Sequence, residues 1–202
     1  MDINALFKIS YGLYVLTAQQ DGKDNGCIIN TCTQLTDTPL QIQITVNKAN
    51  LTHDMIRDTG VFNVSVLTQE ATFWVFQHYG FQSGRDVDKF ANLPEMRTGN
   101  GLRYVSGCTN AVISGKVVNT VDLGTHTMFI AQVTEAMQLD PVPSATYQYY
   151  FDEIKPKPAP SEKETWVCKI CNYVHEGPLP EDFICPWCKH GTEAFEKAQT
   201  ED

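Results

Sequence analysis

The sequence predicts a mainly β protein with a small metal-binding appendage, and three features carry that prediction. Short runs rich in Val, Ile, Thr and Phe recur up to about residue 140, with only two helical patterns among them. A stretch with prolines at alternate positions follows, "IKPKPAPSEKET" from Ile154 to Thr165. Beyond it, four of the chain's seven cysteines form two CxxC pairs, Cys168/Cys171 and Cys185/Cys188.

The strand candidates, in order, are "GLYVLTAQ", "CIINTCTQL", "LQIQITV", "VFNVSVL", "NAVISGKVVNTV" and "TMFIAQVTEAMQL". Alternation by twos is clearest in the fourth, where Phe62, Val64 and Val66 oppose Asn63 and Ser65. "VDLGTH" joins the last two as a hairpin with Gly124 at its turn. Of the helical patterns, "NLTHDMIRDTG" opens on a capping residue and closes on Gly60, and "EATFWVFQHYG" closes on Gly80. Many antiparallel strands and few helices point to a barrel or a sandwich. No internal repeat is visible.

Pro156, Pro158 and Pro160 exclude helix and favour an extended spacer, which would span roughly 34 Å over residues 155–165. The predicted organisation is therefore a domain at 1–154, a linker at 155–165 and a tail domain at 166–202. The formal charge is −9, from 15 basic and 24 acidic residues. An acidic chain of this kind is a poor partner for nucleic acid, which requires a positive footprint. The opening "MDINALFKISYGLYVLTAQQ" has no basic n-region, long apolar run or cleavage site, and no stretch reaches the apolar length of a membrane helix. The expectation is a cytoplasmic protein whose cysteines are thiols or metal ligands rather than disulfides.

Each CxxC makes a tight turn that aims two sulfurs at one point, and two such turns complete a tetrahedral site for Zn²⁺ or iron. A tail this short has little core of its own, so a metal staple suits it. His175 and His190 are surface residues on this reading, because four thiolates already fill the site.

Three segments of the first domain carry candidate chemistry. "TVNKANLTHDMI" ends a strand, passes Lys48 and opens a helix around Thr52, so that helix amides, Lys48, Asn50 and Thr52 form a candidate phosphate pocket, although the same residues also serve as a simple cap. "GFQSGRDVDKF" sets Arg85 and Lys89 behind Ser83 and Gly84, as an anion-binding loop or with Arg85 simply paired to Asp86 or Asp88 on the surface. "DLGTHTMFIAQV" places His126 just after a turn, at a structural or a functional position. No GxGxxG is present, so a Rossmann site is not indicated.

Taken in order, "INTCTQL", "NKANLTH", "SGRDVDKF" and "GTHTMFIAQV" resemble the flavin reductase family over nearly all of residues 1–154. The resemblance implies an FMN-binding split β-barrel that forms a homodimer and takes electrons from NAD(P)H. It implies that Asn30, Thr31, Cys32 and Thr33 lie along the isoalloxazine ring. Asn47, Lys48, Thr52 and His53 would hold the phosphate end, and Ser83, Arg85 and Lys89 would close over the ribityl chain and phosphate. His126 would sit near the face where the nicotinamide stacks. Cys32 departs from the small hydroxyl residue more usual there; Cys27 and Cys108 read as buried fillers. A pyridoxamine-phosphate-oxidase-like barrel is related in shape, but its motifs are not apparent.

The tail resembles a rubredoxin over residues 166–196, with Trp166, Tyr173 and Phe195 at the positions of the aromatic mini-core and Pro186 after the third cysteine. Asn172 and Lys189 stand where that family carries Gly after each CxxC, a place where a left-handed backbone is expected. A flavin reductase barrel followed by a rubredoxin resembles the high-molecular-weight rubredoxins of anaerobic bacteria. That organisation implies one iron at Cys168, Cys171, Cys185 and Cys188, because a flavin exchanges electrons in pairs or singly whereas zinc has no redox chemistry. It also implies an acceptor protein, a flavodiiron reductase of O2 or NO. The alternative is a stand-alone flavin or ferric reductase whose tail is a zinc-ribbon-like protein-binding module.

Overall fold

The computed structural model describes residues 2–157 and 165–198, so Pro158 and Pro160 of the expected spacer lie outside the described residues. Two compact units are present, Met1–Tyr150 and Phe151–Asp202. The fold is mainly β, as the strand-rich pattern predicts.

In the first unit a 3-10 helix at Ile3–Lys8 precedes strands β1 (Tyr14–Gln20), β2 (Lys23–Ile29), β3 (Cys32–Asp37) and β4 (Leu40–Asn47). Helix α1 (Leu51–Thr59), β5 (Val61–Leu67) and helix α2 (Phe73–Gly80) follow, then the long strands β6 (Thr109–Asp122) and β7 (His126–Gln138). The "CIINTCTQL" segment, expected as one strand, is broken at Asn30 and Thr31 into β2 and β3. Moreover, β2 starts earlier than the apolar run suggests, at Lys23. The Asp21-Gly22 turn before it has both central residues at positive φ, 52° and 79°, which is the tight hairpin geometry matched to strand twist.

All seven strands form one sheet in the order β2-β1-β5-β6-β7-β4-β3. Its two edges, β2 and β3, are neighbours in the chain. Flattened, such a sheet would separate its edge strands by about 29 Å at the usual inter-strand spacing. The link from Ile29 to Cys32 reaches roughly 11 Å at most. The sheet must therefore curl on itself, and Thr31 marks the seam: its Oγ1 donates to Thr45 O at 2.7 Å and its carbonyl accepts from Thr45 N at 3.2 Å.

Inside the curl lie Leu16, Ile29, Ile42, Ile44, Phe62, Val64 and Phe129, closed at one end by Met55 and Ile56 of α1. The alternation in β5 has a different outcome from simple inside and outside. Phe62 and Val64 are buried, but so are Asn63 and Ser65. Residues 97–105 lie over that second face, and polar atoms meet them there. Asn63 Nδ2 donates to Thr98 Oγ1 (2.8 Å) and Leu102 O (3.1 Å), while its Oδ1 accepts from Asn100 Nδ2 (2.9 Å) and Ser114 Oγ (2.8 Å). Ser65 Oγ accepts from Val105 N.

The second unit holds a three-stranded antiparallel sheet, β8 (Thr165–Cys168), β9 (Val174–Glu176) and β10 (Phe195–Lys197), ordered β10-β8-β9. Among the described residues no helix is long and apolar enough to cross a membrane.

Because the fully buried Asn63 side chain bonds Thr98, Leu102, Asn100 and Ser114 at once, Asn63→Ala is expected to cost about 2–3 kcal/mol by urea unfolding. It is also expected to open the 97–105 segment to limited proteolysis. A loss below about 0.5 kcal/mol would show that the segment is held by other means.

Candidate functional site

Strand β4 gathers most of the candidate flavin residues. On one side Cys32 and Thr33 pair with Ile44 and Gln43, and Gln43 Nε2 donates to Thr33 Oγ1 at 2.7 Å. On the other side Asn47, the last residue of β4, pairs with His126, the first of β7. The chain then turns into α1, so the helix start, the Asn30–Thr33 seam and His126 surround the same strand end. His126 is half-buried, with Nδ1 2.8 Å from Thr125 Oγ1.

The start of α1 is suited to an anion. Asn50 occupies the N-cap without making a side-chain capping bond, while His53 N donates to Asn50 O and the acidic Asp54 stands in the first turn. Arg85 reaches this turn from the 83–89 loop: its guanidinium donates to Ala49 O at 3.1 Å and pairs with Asp54 at 2.7 Å. Ser83 Oγ accepts from Arg85 N. Lys48 sits beside the turn and pairs with Asp122 at 2.7 Å, an ion pair that depresses the Asp122 carboxyl below its usual range. Both surface cations are thus present, each already held by a carboxylate.

Three of the expected residues turn their side chains into the protein. Thr52 is fully buried and accepts from Asn25 Nδ2 at 2.9 Å. His53 is buried between Asp54 Oδ1 (3.1 Å) and Thr127 Oγ1 (2.9 Å), a strut that pins α1 to β7. Lys89 is also buried, donating to Gly26 O and Tyr79 O at 2.9 Å each, and burial brings its ammonium down to about 8. These three set the loops in place. Burial raises the Cys32 thiol to about 12, so it stays a neutral small side chain at neutral pH.

Asn25 was not legible as a site residue. Its Oδ1 is buried, has no hydrogen-bond partner among the described residues and faces Gly84, where an added Cβ would clash with it. Glycine at 84 is therefore a matter of space, and it lets the 83–89 loop approach α1. A cavity of about 310 Å³ lined by Trp74, Tyr79, Phe90, Tyr104 and Cys108 contains none of the expected flavin residues.

In the second unit the four sulfurs of Cys168, Cys171, Cys185 and Cys188 all lie within 4.8 Å of one another. Cys168 and Cys188 are 3.5 Å apart, and Cys171 and Cys185 are 3.4 Å apart. A tetrahedron with metal–sulfur bonds of about 2.3 Å has edges of roughly 3.8 Å, so the donor set fits one tetrahedral ion with little adjustment.

The two knuckles repeat one another. Asn172 N donates to Cys168 O and Lys189 N to Cys185 O, while Cys168 N and Cys185 N donate to Tyr173 O and His190 O. Closing each turn puts Asn172 and Lys189 at φ of 59° and 63°, the left-handed conformation expected after each CxxC. Around them Tyr173 meets Trp187 (5.5 Å) and Phe195 (6.5 Å), and Phe183 meets Phe195 (5.3 Å). Phe183 and Trp187 were missed as core rings. Trp166 is half-buried on β8, with its indole nitrogen buried and unpartnered among the described residues.

Without metal, burial pushes the Cys171 thiol up and takes Cys188 to about 12. At Cys185 burial acts in the same sense but is outweighed by amide hydrogen bonds from Cys188 and Trp187, and the thiol is held below its ordinary range. Loading therefore means displacing protons from raised thiols.

Comparison with known proteins agrees with both halves. The Flavin reductase like domain matches residues 6–157. The chain belongs to the flavin reductase family. The Rubrerythrin, rubredoxin-like domain matches residues 166–196. A high molecular weight rubredoxin from Moorella thermoacetica is 36% identical over 98% of this chain and 100% of that one. A ferric-chelate reductase (NAD(P)H) from Archaeoglobus fulgidus is 40% identical over 74% of this chain and 89% of that one. Among solved structures, Streptomyces globisporus NADH:FAD oxidoreductase SgcE6 shares the fold at a TM-score of 0.62 and 20% identity, over 70% of this chain and 84% of that one. The protein is thus an NAD(P)H-dependent flavoprotein oxidoreductase with the high-molecular-weight rubredoxin organisation. Its family implies a flavin, and its four-cysteine cluster suggests iron.

Two outcomes are expected of the knuckle. Lys189→Gly relieves a left-handed lysine and should stabilise the metal-loaded second unit by about 1 kcal/mol, read as a raised midpoint in chemical denaturation. Metal affinity should rise with pH, by about tenfold per unit for each thiol that must shed its proton, in competition titrations between about pH 6 and 8. A flat pH profile would contradict the raised thiols.

Proposed function

We propose that this protein is an NAD(P)H:rubredoxin-type oxidoreductase that moves electrons from a nicotinamide, by way of FMN, to its own four-cysteine iron and on to a separate acceptor. The observation that carries the reading is the fusion itself: a flavin reductase domain and a knuckle whose four sulfurs are set for one metal ion. Bound FMN would accept electrons in a pair and release them singly, which a nicotinamide and a single iron require of whatever joins them.

The chain's own part is placement. The first turn of α1, Lys48 and Arg85 supply positive charge for the phosphate, which would share or replace the carboxylates of Asp122 and Asp54. The Asn30–Thr33 seam offers backbone and hydroxyl groups to the polar edge of the ring. His126, held by Thr125 Oγ1 at 2.8 Å, would steady a nicotinamide ring.

These groups line an open surface, since Thr33, Asn47 and Arg85 are exposed. Large apolar side chains are exposed on β3, β4, β6 and the β6–β7 turn, namely Leu35, Leu40, Val118, Val121 and Leu123. Both features favour a homodimer that covers the strands and closes the cleft. Fusion in one chain would keep the iron at about millimolar effective concentration for the flavin. The acceptor we infer is a flavodiiron reductase of O2 or NO, in a cytoplasmic setting.

Two variants test this reading. Removing everything after Ile154 should leave NAD(P)H-dependent flavin reduction intact while electron delivery to the acceptor collapses; delivery at the full-length rate would sink the relay. Lys48→Ala should weaken FMN by about tenfold, the cost of one charge-assisted hydrogen bond, and leave riboflavin binding nearly unchanged. An equal loss for both flavins would place the phosphate elsewhere.

A further inference from the structure

Asn172 does more than tolerate its left-handed turn. Its side-chain amide donates to the carbonyl of Pro156, tying the segment ahead of β8 to the first knuckle. The neighbouring residue in that segment is Lys155, which is only 5% exposed. Its ammonium donates to Lys169 O at 3.0 Å, inside the Cys168–Cys171 turn, and lies 4.5 Å from the centre of the Phe151 ring. Residues 155 and 156, expected as free spacer, therefore pack on the knuckle.

No carboxylate forms an ion pair with Lys155 among the described residues; burial works against its charge, and the groups whose ionised forms would favour it are Cys171, Cys168 and Cys188, with Glu196 after them. A buried ammonium with only a carbonyl and a ring for company is costly unless a counter-charge stands nearby. A metal-loaded tetrathiolate at Cys168, Cys171, Cys185 and Cys188 would be that counter-charge. With ferric iron it carries one net negative charge, and with ferrous iron two.

We propose that Lys155, clamped to the knuckle by Asn172, is a positioning charge for the metal centre that favours its reduced form and so raises its reduction potential. The step it biases is a one-electron gain by the ferric centre, with the electron supplied through the flavin and no bond made or broken. This inference rests on the iron reading of the knuckle.

The test is a mediated spectroelectrochemical titration of the iron bands in the full-length protein, with iron content measured alongside. Lys155→Met is expected to move the couple to a more negative potential, and Lys155→Arg to keep it near the wild-type value. Asn172→Gly removes the clamp while suiting the left-handed turn, so it serves if Lys155→Met fails to hold iron. It should shift the couple the same way as Lys155→Met, and the double variant should shift no further than Lys155→Met alone. A wild-type potential in an iron-loaded Lys155→Met or Asn172→Gly protein overturns the inference and leaves the iron reading standing. A wild-type chain with no iron couple at all overturns the reading beneath it, and the inference with it.

Discussion

Only Asn30 and Thr31 join the two edges of the seven-stranded sheet, and the candidate flavin cleft depends on how short that link is. It forces the sheet to curl, brings Thr31 against Thr45 and lays β3 beside β4. Once β3 is fixed there, β4 has β3 on one side and β7 on the other, and its end must carry Asn47, Lys48 and the start of α1 into the same space as His126. The buried residues between these parts act as spacers. His53 fixes α1 to β7, Lys89 fixes its loop to Gly26 and Tyr79, and the Asn25–Thr52 bond fixes α1 to β2. Lys48 and Arg85 stay nearer the surface beside the start of α1, paired with Asp122 and Asp54.

Much of this was legible because apolar periodicity and turn chemistry are local. β4, β5, β6 and β7 were readable from their Val, Ile and Thr runs, and α1 from Asn50 and Gly60. What failed to show was tertiary. Nothing near Thr52, His53 or Lys89 announces that their side chains point inward, since a polar residue next to a helix start reads the same whether it meets a ligand or a buried partner. Lys23 to Asn25 hid the first half of β2 because a strand whose polar residues pair with distant loops shows no apolar alternation. The Asp21-Gly22 turn was the local signal that could have found it. Asn63 and Ser65 belong to the same class: their burial is caused by a segment some forty residues away in sequence.

The knuckle was the easiest part to read and still held a surprise. Four cysteines at this spacing specify a site by covalent geometry alone, and the left-handed positions after each pair follow from closing the turns. Asn172 and Lys189 both depart from glycine, and in sequence they differ only in that Asn tolerates a left-handed backbone more readily than Lys. They are not equivalent, because Asn172 uses its amide on Pro156 whereas Lys189 is exposed, with no hydrogen bond from its side chain among the described residues. The aromatic packing likewise centres on Tyr173, Phe183 and Phe195, with Trp187 in the second knuckle itself.

The central claim is that the two halves form one electron path, and stoichiometry tests it most directly. The purified chain, loaded with its flavin and metal, would be titrated anaerobically with NADH while its visible spectrum is followed. A relay of one flavin and one iron takes up three electrons, so both the flavin bands and the longer-reaching iron–thiolate bands should bleach together by about 1.5 equivalents of NADH. Bleaching of a flavin spectrum alone, complete at about one equivalent and with no iron bands present, would contradict the account and leave a flavin reductase with a redox-silent tail.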